Sequence, residues 1–247
     1  MSVSGKRASP LLVEFCGLGG AGKTTVATEC TAQLRQAGLV CLPRWEKSPR
    51  SFLTDLAFSG RNVGTIAAVH QFHRGIVRGF ALDTERRAFA NQYALNASKV
   101  LRYLRMINRR MIKNPDVVIF DQGVVNWLTC VAPADVLESL GGRALLGKVY
   151  RQWPTLLVFV ETPPCLAEQR LNDRRYAAGK GRGQRSDIIV DNGTREKSLR
   201  WAAEAVRGAE DNKVLVLDGL RSAEELGAEV AMAVGEDAYN VLNQEIP

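Results

Sequence analysis

Eight consecutive residues constrain this chain more than any others: Gly17-Leu18-Gly19-Gly20-Ala21-Gly22-Lys23-Thr24. They match G-x-x-x-x-G-K-[ST], with an apolar run from Leu11 to Cys16 before them and helix-forming residues from Thr24 to Gln36 after them, closed by Gly38. Strand, glycine turn and helix form the context in which this spacing has a physical purpose. Glycines let successive N–H groups curl inward toward phosphate oxygens, and the start of the helix adds its positive dipole end. The expected cradle is therefore Gly17, Gly19, Gly20, Ala21, Gly22, Lys23, Thr24 and Thr25. Within it Lys23 is expected to reach the outer phosphates, and the Thr24 hydroxyl to ligate magnesium.

Four further apolar runs follow: Leu39 to Leu42, cut off by Pro43; Val117 to Phe120; Thr155 to Val160; and Val214 to Leu217. Separated by helical patterns, they predict an α/β fold with a five-stranded parallel sheet covered by helices on both faces. Asp121 ends the Val117 run and should emerge at the carboxyl edge of its strand, where open α/β sheets bind ligands. It is the expected magnesium carboxylate, directly or through water. A turn-forming aspartate is the plainer alternative.

A chain of 247 residues with 46% hydrophobic and 24% charged composition has an ordinary globular make-up, so one domain over 1–247 is the expectation. No apolar run reaches membrane-spanning length, and residues 1–10 are polar, which predicts a cytoplasmic protein without a membrane partner. Five widely spaced cysteines and two histidines offer no C-x-x-C pair and no metal set, so reduced thiols are expected. The net charge of +7 suits enzymes that gather polyanions as well as it suits nucleic-acid binders.

About seventy residues separate the second and third strands, far more than a crossover needs. Within them Phe89, Tyr93, Ala97, Val100, Leu104, Ile107 and Met111 recur at helical spacing, with Arg102, Arg105 and Arg109 on another side. One long amphipathic helix with a solvated arginine face is the expectation. His70 and His73 read as structural or exposed. Later, Arg170, Arg174, Arg175, Lys180, Arg182 and Arg185 crowd within sixteen residues that also hold Gly179, Gly181 and Gly183. Such a run is either a solvated surface or a segment that closes over a transferring phosphoryl group.

Val13-Glu14-Phe15-Cys16-Gly17-Leu18-Gly19-Gly20-Ala21-Gly22-Lys23-Thr24-Thr25, then Phe120-Asp121-Gln122, then Glu168-Gln169-Arg170 with the basic run, resembles the thymidylate kinase family and its nucleoside-kinase relatives among P-loop NTPases. The likeness extends over about residues 10–235. It implies a kinase core over 10–45 and 113–235, a helical acceptor-side insertion over 46–112, a lid over 170–187, and ATP with magnesium as cofactors. It implies transfer of the γ-phosphoryl group to a small acceptor, most plainly a nucleotide or nucleoside. Arg174, Arg182 and Arg185 become the lid cations, and Arg170 joins the ATP site. On the acceptor side stand Arg44, Trp45, Tyr93 and Gln122, with Glu46 placed to take a proton if the acceptor is a hydroxyl. Related kinases often pair through helices, so a homodimer is part of what the likeness implies.

Two departures touch the acceptor side. The family usually carries an acidic residue where Gly19 stands and an arginine where Gln122 stands. A natural-product or small-metabolite kinase on the same scaffold is thus an alternative acceptor class. A chromosome-partition type switch ATPase shares the glycine loop but has a signature lysine where this chain has Leu18. A nucleotide-binding module of a nucleic-acid-processing complex is favoured only by the charge, and a nucleic-acid partner is not expected.

Overall fold

The computed structural model describes residues 10–44, 63–81, 90–130, 132–178, 191–209 and 212–244, with the side chains of 63, 73, 76–81, 90–98 and 237–244 outside the description. Strands β1 (Leu11–Cys16), β2 (Cys41–Pro43), β3 (Val117–Phe120), β4 (Thr155–Glu161) and β5 (Asn212–Asp218) form one sheet of order β2-β3-β1-β4-β5. Every pairing is parallel. The helices are α1 (Lys23–Gln36), α2 (Val63–Ala81), α3 (Ala90–Met111), α4 (Val124–Leu128), α5 (Ala134–Ser139), α6 (Gly142–Tyr150), α7 (Pro164–Ala177), α8 (Asn192–Arg207) and α9 (Ala223–Gln244).

Alternation along β1 sorts the two layers, because successive side chains leave a strand on opposite faces. Val13 and Phe15 join Val26, Cys30 and Leu34 of α1 and Leu226, Val230 and Val234 of α9. Leu12 and Cys16 face the other way, toward Leu104 and Ile107 of α3, Val124 and Val125 of α4, Leu146 and Val149 of α6, and Leu199 and Val206 of α8. The expected α/β sheet covered on both faces is the observed architecture.

The second strand starts two residues later than its apolar run. The reason lies in the end of α1, where Gly38 N–H bonds Arg35 O and Leu39 N–H bonds Leu34 O, both at 3.0 Å. This paired closure uses the backbone that would otherwise have begun the strand. Pro43, which the apolar pattern places outside the strand, is its last residue, paired with Ile119. β2 lies at the sheet edge, where a missing N–H is tolerated.

The long amphipathic helix is α3, with Val100, Leu104, Ile107 and Met111 buried and Arg102 and Arg105 exposed. It packs on α2, and the stretch between β2 and β3 is helical over 63–81 and 90–111. β3 is added between β1 and β2, and β4 and β5 lie on the other side of β1. The carboxyl ends of β1, β3 and β4 therefore frame the crevice that parallel sheets use for ligands.

Candidate active site

The glycine loop begins where β1 ends, and its shape is set by close packing. Gly17, Gly20 and Gly22 hold φ angles of 144, 92 and 91°. Gly20 is not demanded by the motif, yet a Cβ there would lie 2.0 Å from Ala167 O and 2.9 Å from Ala167 C of α7. Backbone against backbone leaves no room to yield. The loop is thus seated on α7, the helix that carries Arg170 and Arg174.

Lys23 is buried, and its ammonium donates to Gly17 O at 2.9 Å and Leu18 O at 2.6 Å. Burial first, and then repulsion from Arg195, pull its pKa from 10.5 down to about 7. Thr24 Oγ1 donates to Asp121 Oδ2 at 2.8 Å, bringing the first turn of α1 to the end of β3. The other oxygen, Asp121 Oδ1, forms an ion pair with Arg44 Nε at 2.9 Å, although the N–H is not aligned as a hydrogen bond. A hydroxyl and a carboxylate side by side are hard oxygen donors of the kind magnesium takes from a protein, the remaining positions going to water and phosphate oxygens.

Arg195, which no motif points to, is the second buried cation here, 4% exposed in the first turns of α8. Its Nη2 donates to Asn126 Oδ1 at 3.4 Å, and Asn126 Nδ2 donates to Phe15 O at 2.8 Å. Among the described residues its Nε has no hydrogen-bond partner. Among the described residues no carboxylate comes within ion-pair distance of Arg195 or Lys23. Keeping two such cations out of water without a counter-ion is costly, and an anion between them removes that cost. The sequence does carry a signal. Arg195, Ser198, Leu199, Ala202 and Val206 share one buried face of α8, so an arginine stands on an otherwise uncharged stripe.

Glu14, in the middle of β1, is the other unforeseen group. Fully buried, its carboxyl is raised from 4.5 to about 7 by desolvation, against the lowering effect of the Tyr150 hydroxyl and the Val125 and Val124 amides. Oε1 accepts Val125 N–H at 3.0 Å, whereas Oε2 and the Tyr150 hydroxyl stand near each other without closing a proper hydrogen bond. Only glycine fits at 123, since a Cβ would lie 2.1 Å from the Glu14 carboxyl carbon. Glu14 thereby ties β1, which leads into the glycine loop, to the turn that carries Asp121 and half-buried Gln122.

Across the crevice, Arg44 follows β2. Its Nη1 donates to the Tyr103 hydroxyl and its guanidinium lies 5.6 Å from the Tyr103 ring centroid. Tyr103 meets Trp127 of α4 at 6.1 Å and Phe120 edge-on at 5.9 Å between centroids, and Lys99 Nζ sits 3.9 Å from the Trp127 centroid. An aromatic wall with cations over it thus faces the Asp121 edge. Tyr103, not foreseen, occupies the position toward Arg44; Tyr93 belongs to α3 by its backbone, and its side chain lies outside the described residues.

Of the remaining expected residues, Arg170 bridges from α7 to Gly219 O at 3.1 Å, and Arg174 is exposed on the same helix. The start of the basic run is therefore helical. Thr25 is exposed at the start of α1. Trp45, Glu46, Lys180, Arg182 and Arg185 lie outside the described residues, as do Gly179, Gly181 and Gly183. His70 is exposed. The cysteines are free, four of them buried, and burial pushes the Cys16 and Cys30 thiols up, the latter to about 12. Among the described residues no three His, Cys, Asp or Glu side chains gather as a metal cluster, and no helix is long and apolar enough to cross a membrane. Compared with known proteins, the chain matches no family model and no curated sequence.

Proposed function

We propose that this chain is an ATP-dependent phosphotransferase, a P-loop kinase resembling the thymidylate kinase group, that moves the γ-phosphoryl group to a small acceptor. One observation carries the assignment: at the mouth of a left-handed glycine loop two buried cations, Lys23 and Arg195, which no carboxylate among the described residues meets within ion-pair distance, stand beside the Thr24–Asp121 oxygen pair. That set fits a polyphosphate and its magnesium ion, since an anion between the two cations would offset the cost of keeping both from water.

In this assignment Thr24 and Asp121 would hold magnesium, which when bound would neutralise charge on the phosphate oxygens. The backbone N–H groups from Gly17 to Thr25 orient the phosphates. Lys23 leaves the carbonyls of Gly17 and Leu18 for the anion and offsets negative charge that grows as the phosphoryl group moves. Arg195, positioned through Asn126, does so from the α8 side. The lid arginines Arg174, Arg182 and Arg185 would add to this on closing, and Arg170 borders the ATP site. Glu46 would take a proton only from a hydroxyl acceptor.

A nucleotide or nucleoside is the acceptor class best supported, since buried Tyr103 backs half-buried Trp127 and the cations Arg44 and Lys99 lie over the two rings, a mixed aromatic and cationic surface of the kind that suits a planar, anionic acceptor. Gly19 and Gln122, which replace the acidic and basic residues usual in thymidylate kinases, favour a small-metabolite acceptor as the second reading. The test is incubation with ATP, magnesium and a panel of nucleosides, nucleoside monophosphates and hydroxylated metabolites, scoring phosphorylated acceptor separately from free phosphate. Transfer to one acceptor class supports the assignment. Hydrolysis alone across the whole panel overturns it in favour of a switch ATPase.

A further inference from the structure

Arg44 links the two sides of the crevice through a side chain held on a fixed backbone. Its N–H donates to Ile119 O at 2.8 Å and its carbonyl accepts Arg110 Nη2 at 2.9 Å, so the main chain is pinned on both sides. The side chain is less constrained: it is 27% exposed, against 6% for the Asp121 side chain it pairs with. One end of the guanidinium faces Asp121 Oδ1, and the other donates to the Tyr103 hydroxyl on α3.

Asp121 has two oxygens, and both are engaged: Oδ2 accepts the Thr24 hydroxyl and Oδ1 faces Arg44. A guanidinium at 2.9 Å cancels the carboxylate's charge and repels any divalent cation that approaches the same oxygen. Arginine binds anions best through two parallel N–H groups, whereas Asp121 is met by Nε alone and out of line. An anionic group arriving beside Tyr103 therefore offers Arg44 the better partner.

We propose that Arg44 is a positioning residue that couples acceptor occupancy to metal binding: an anion on the α3 side draws its guanidinium off Asp121, and the freed oxygen then takes the divalent cation. The inference rests on the phosphotransferase assignment. Its consequence is order, with magnesium held tightly only once an anionic acceptor is in place, which suppresses transfer to water. This is a rotation of one side chain about a pinned backbone, and no other element needs to move.

The experiment measures Mn2+ affinity by electron paramagnetic resonance in the presence of a non-hydrolysable ATP analogue, with sodium sulfate as the anionic probe at constant ionic strength. Metal-free binding of the analogue is followed separately by calorimetry. Arg44→Met, neutral and of similar length, is expected to bind Mn2+ about tenfold more tightly than the parent without sulfate, and to ignore sulfate. The parent should tighten about threefold as sulfate is added. Tyr103→Phe removes the competing acceptor for the guanidinium and should weaken Mn2+ binding about two- to threefold, a change of opposite sign that misfolding of both variants does not produce. Arg44→Lys, which keeps the charge, should stay near the parent. If Arg44→Met binds Mn2+ equally or more weakly while the analogue binds as in the parent, the coupling is wrong and the kinase assignment stands. If the analogue binds to none of the proteins, the phosphotransferase assignment falls and the coupling with it.

Discussion

The two banks of the crevice are built in different ways. On the side we assign to the phosphate donor, nine contiguous residues from Gly17 to Thr25 make the loop and the start of α1, and their backbone carries most of the geometry. On the facing side, Arg44, Lys99, Tyr103, Arg110 and Trp127 come from the end of β2, from α3 and from α4, and every contribution is a side chain. The donor bank is closed against α7 and β4 by backbone contacts at Gly20 and Gly17, while the other turns on a guanidinium that is 27% exposed. A backbone cradle tolerates little change and serves one ligand class. A wall of side chains can be re-cut by substitution, so under the proposed function specificity for the acceptor is expected to reside there.

The sharpest way to break this contrast is to remove charge from the donor bank. Lys23→Ala should lower single-turnover transfer about 10³-fold or more while leaving the melting temperature equal or higher, because the desolvation of a buried ammonium held only by two carbonyls is removed. Transfer within tenfold of the parent would sink the assignment of Lys23 to the phosphates. Arg195→Met should cost roughly 10²- to 10³-fold in transfer and likewise spare or raise stability. A fall in stability with unchanged transfer would make Arg195 a support for Asn126 instead.

Packing of the loop on α7 comes next. Gly20→Ala places a Cβ 2.0 Å from Ala167 O at a φ of 92°, and should cost about 3 kcal/mol or more in chemical denaturation. An equivalent loss of less than about 1 kcal/mol would show that the loop can lift from α7 freely.

The smallest effect concerns Glu14, whose folded pKa of about 7 lies above the unfolded 4.5. The folded protein then binds more protons than the unfolded one between those values, so stability falls as pH rises through the window. On the order of 1–3 kcal/mol should be lost across it. Glu14→Gln keeps an oxygen for Val125 N–H and cannot ionise, so its stability should lack this component. Melting temperatures of parent and variant from pH 4.5 to 8 give the answer, and parallel curves would show that Glu14 does not titrate there.

Most of the fold was legible because its signals are local. The five apolar runs, the glycine punctuation and the helical period of α3 each depend on neighbours within a few residues. The Leu39 run failed at its start for a tertiary-independent but subtle reason, the paired closure of α1 through Gly38 and Leu39. Tyr103, Arg110, Asn126 and Arg195 were not found, since each looks like an ordinary helix residue until another element comes against it. Glu14 looked like a polar residue in a strand, and its burial depends on Gly123, more than one hundred positions away.

The sequence by itself determined the glycine turn between a strand and a helix, the placement of Lys23 and Thr24 at the start of that helix, and a parallel sheet that puts Asp121 at a carboxyl edge. Periodicity and turn chemistry act over a few residues, so they can be read without coordinates. Tertiary structure alone decided which cations share the crevice, that Arg195 stands beside Lys23 with no carboxylate of the described residues in ion-pair reach of either, and that Arg44 is held between Asp121 and Tyr103. Those facts depend on packing of α3 and α8 against the sheet. Desolvation and ion pairing are properties of the assembled surroundings, which no stretch of chain contains on its own.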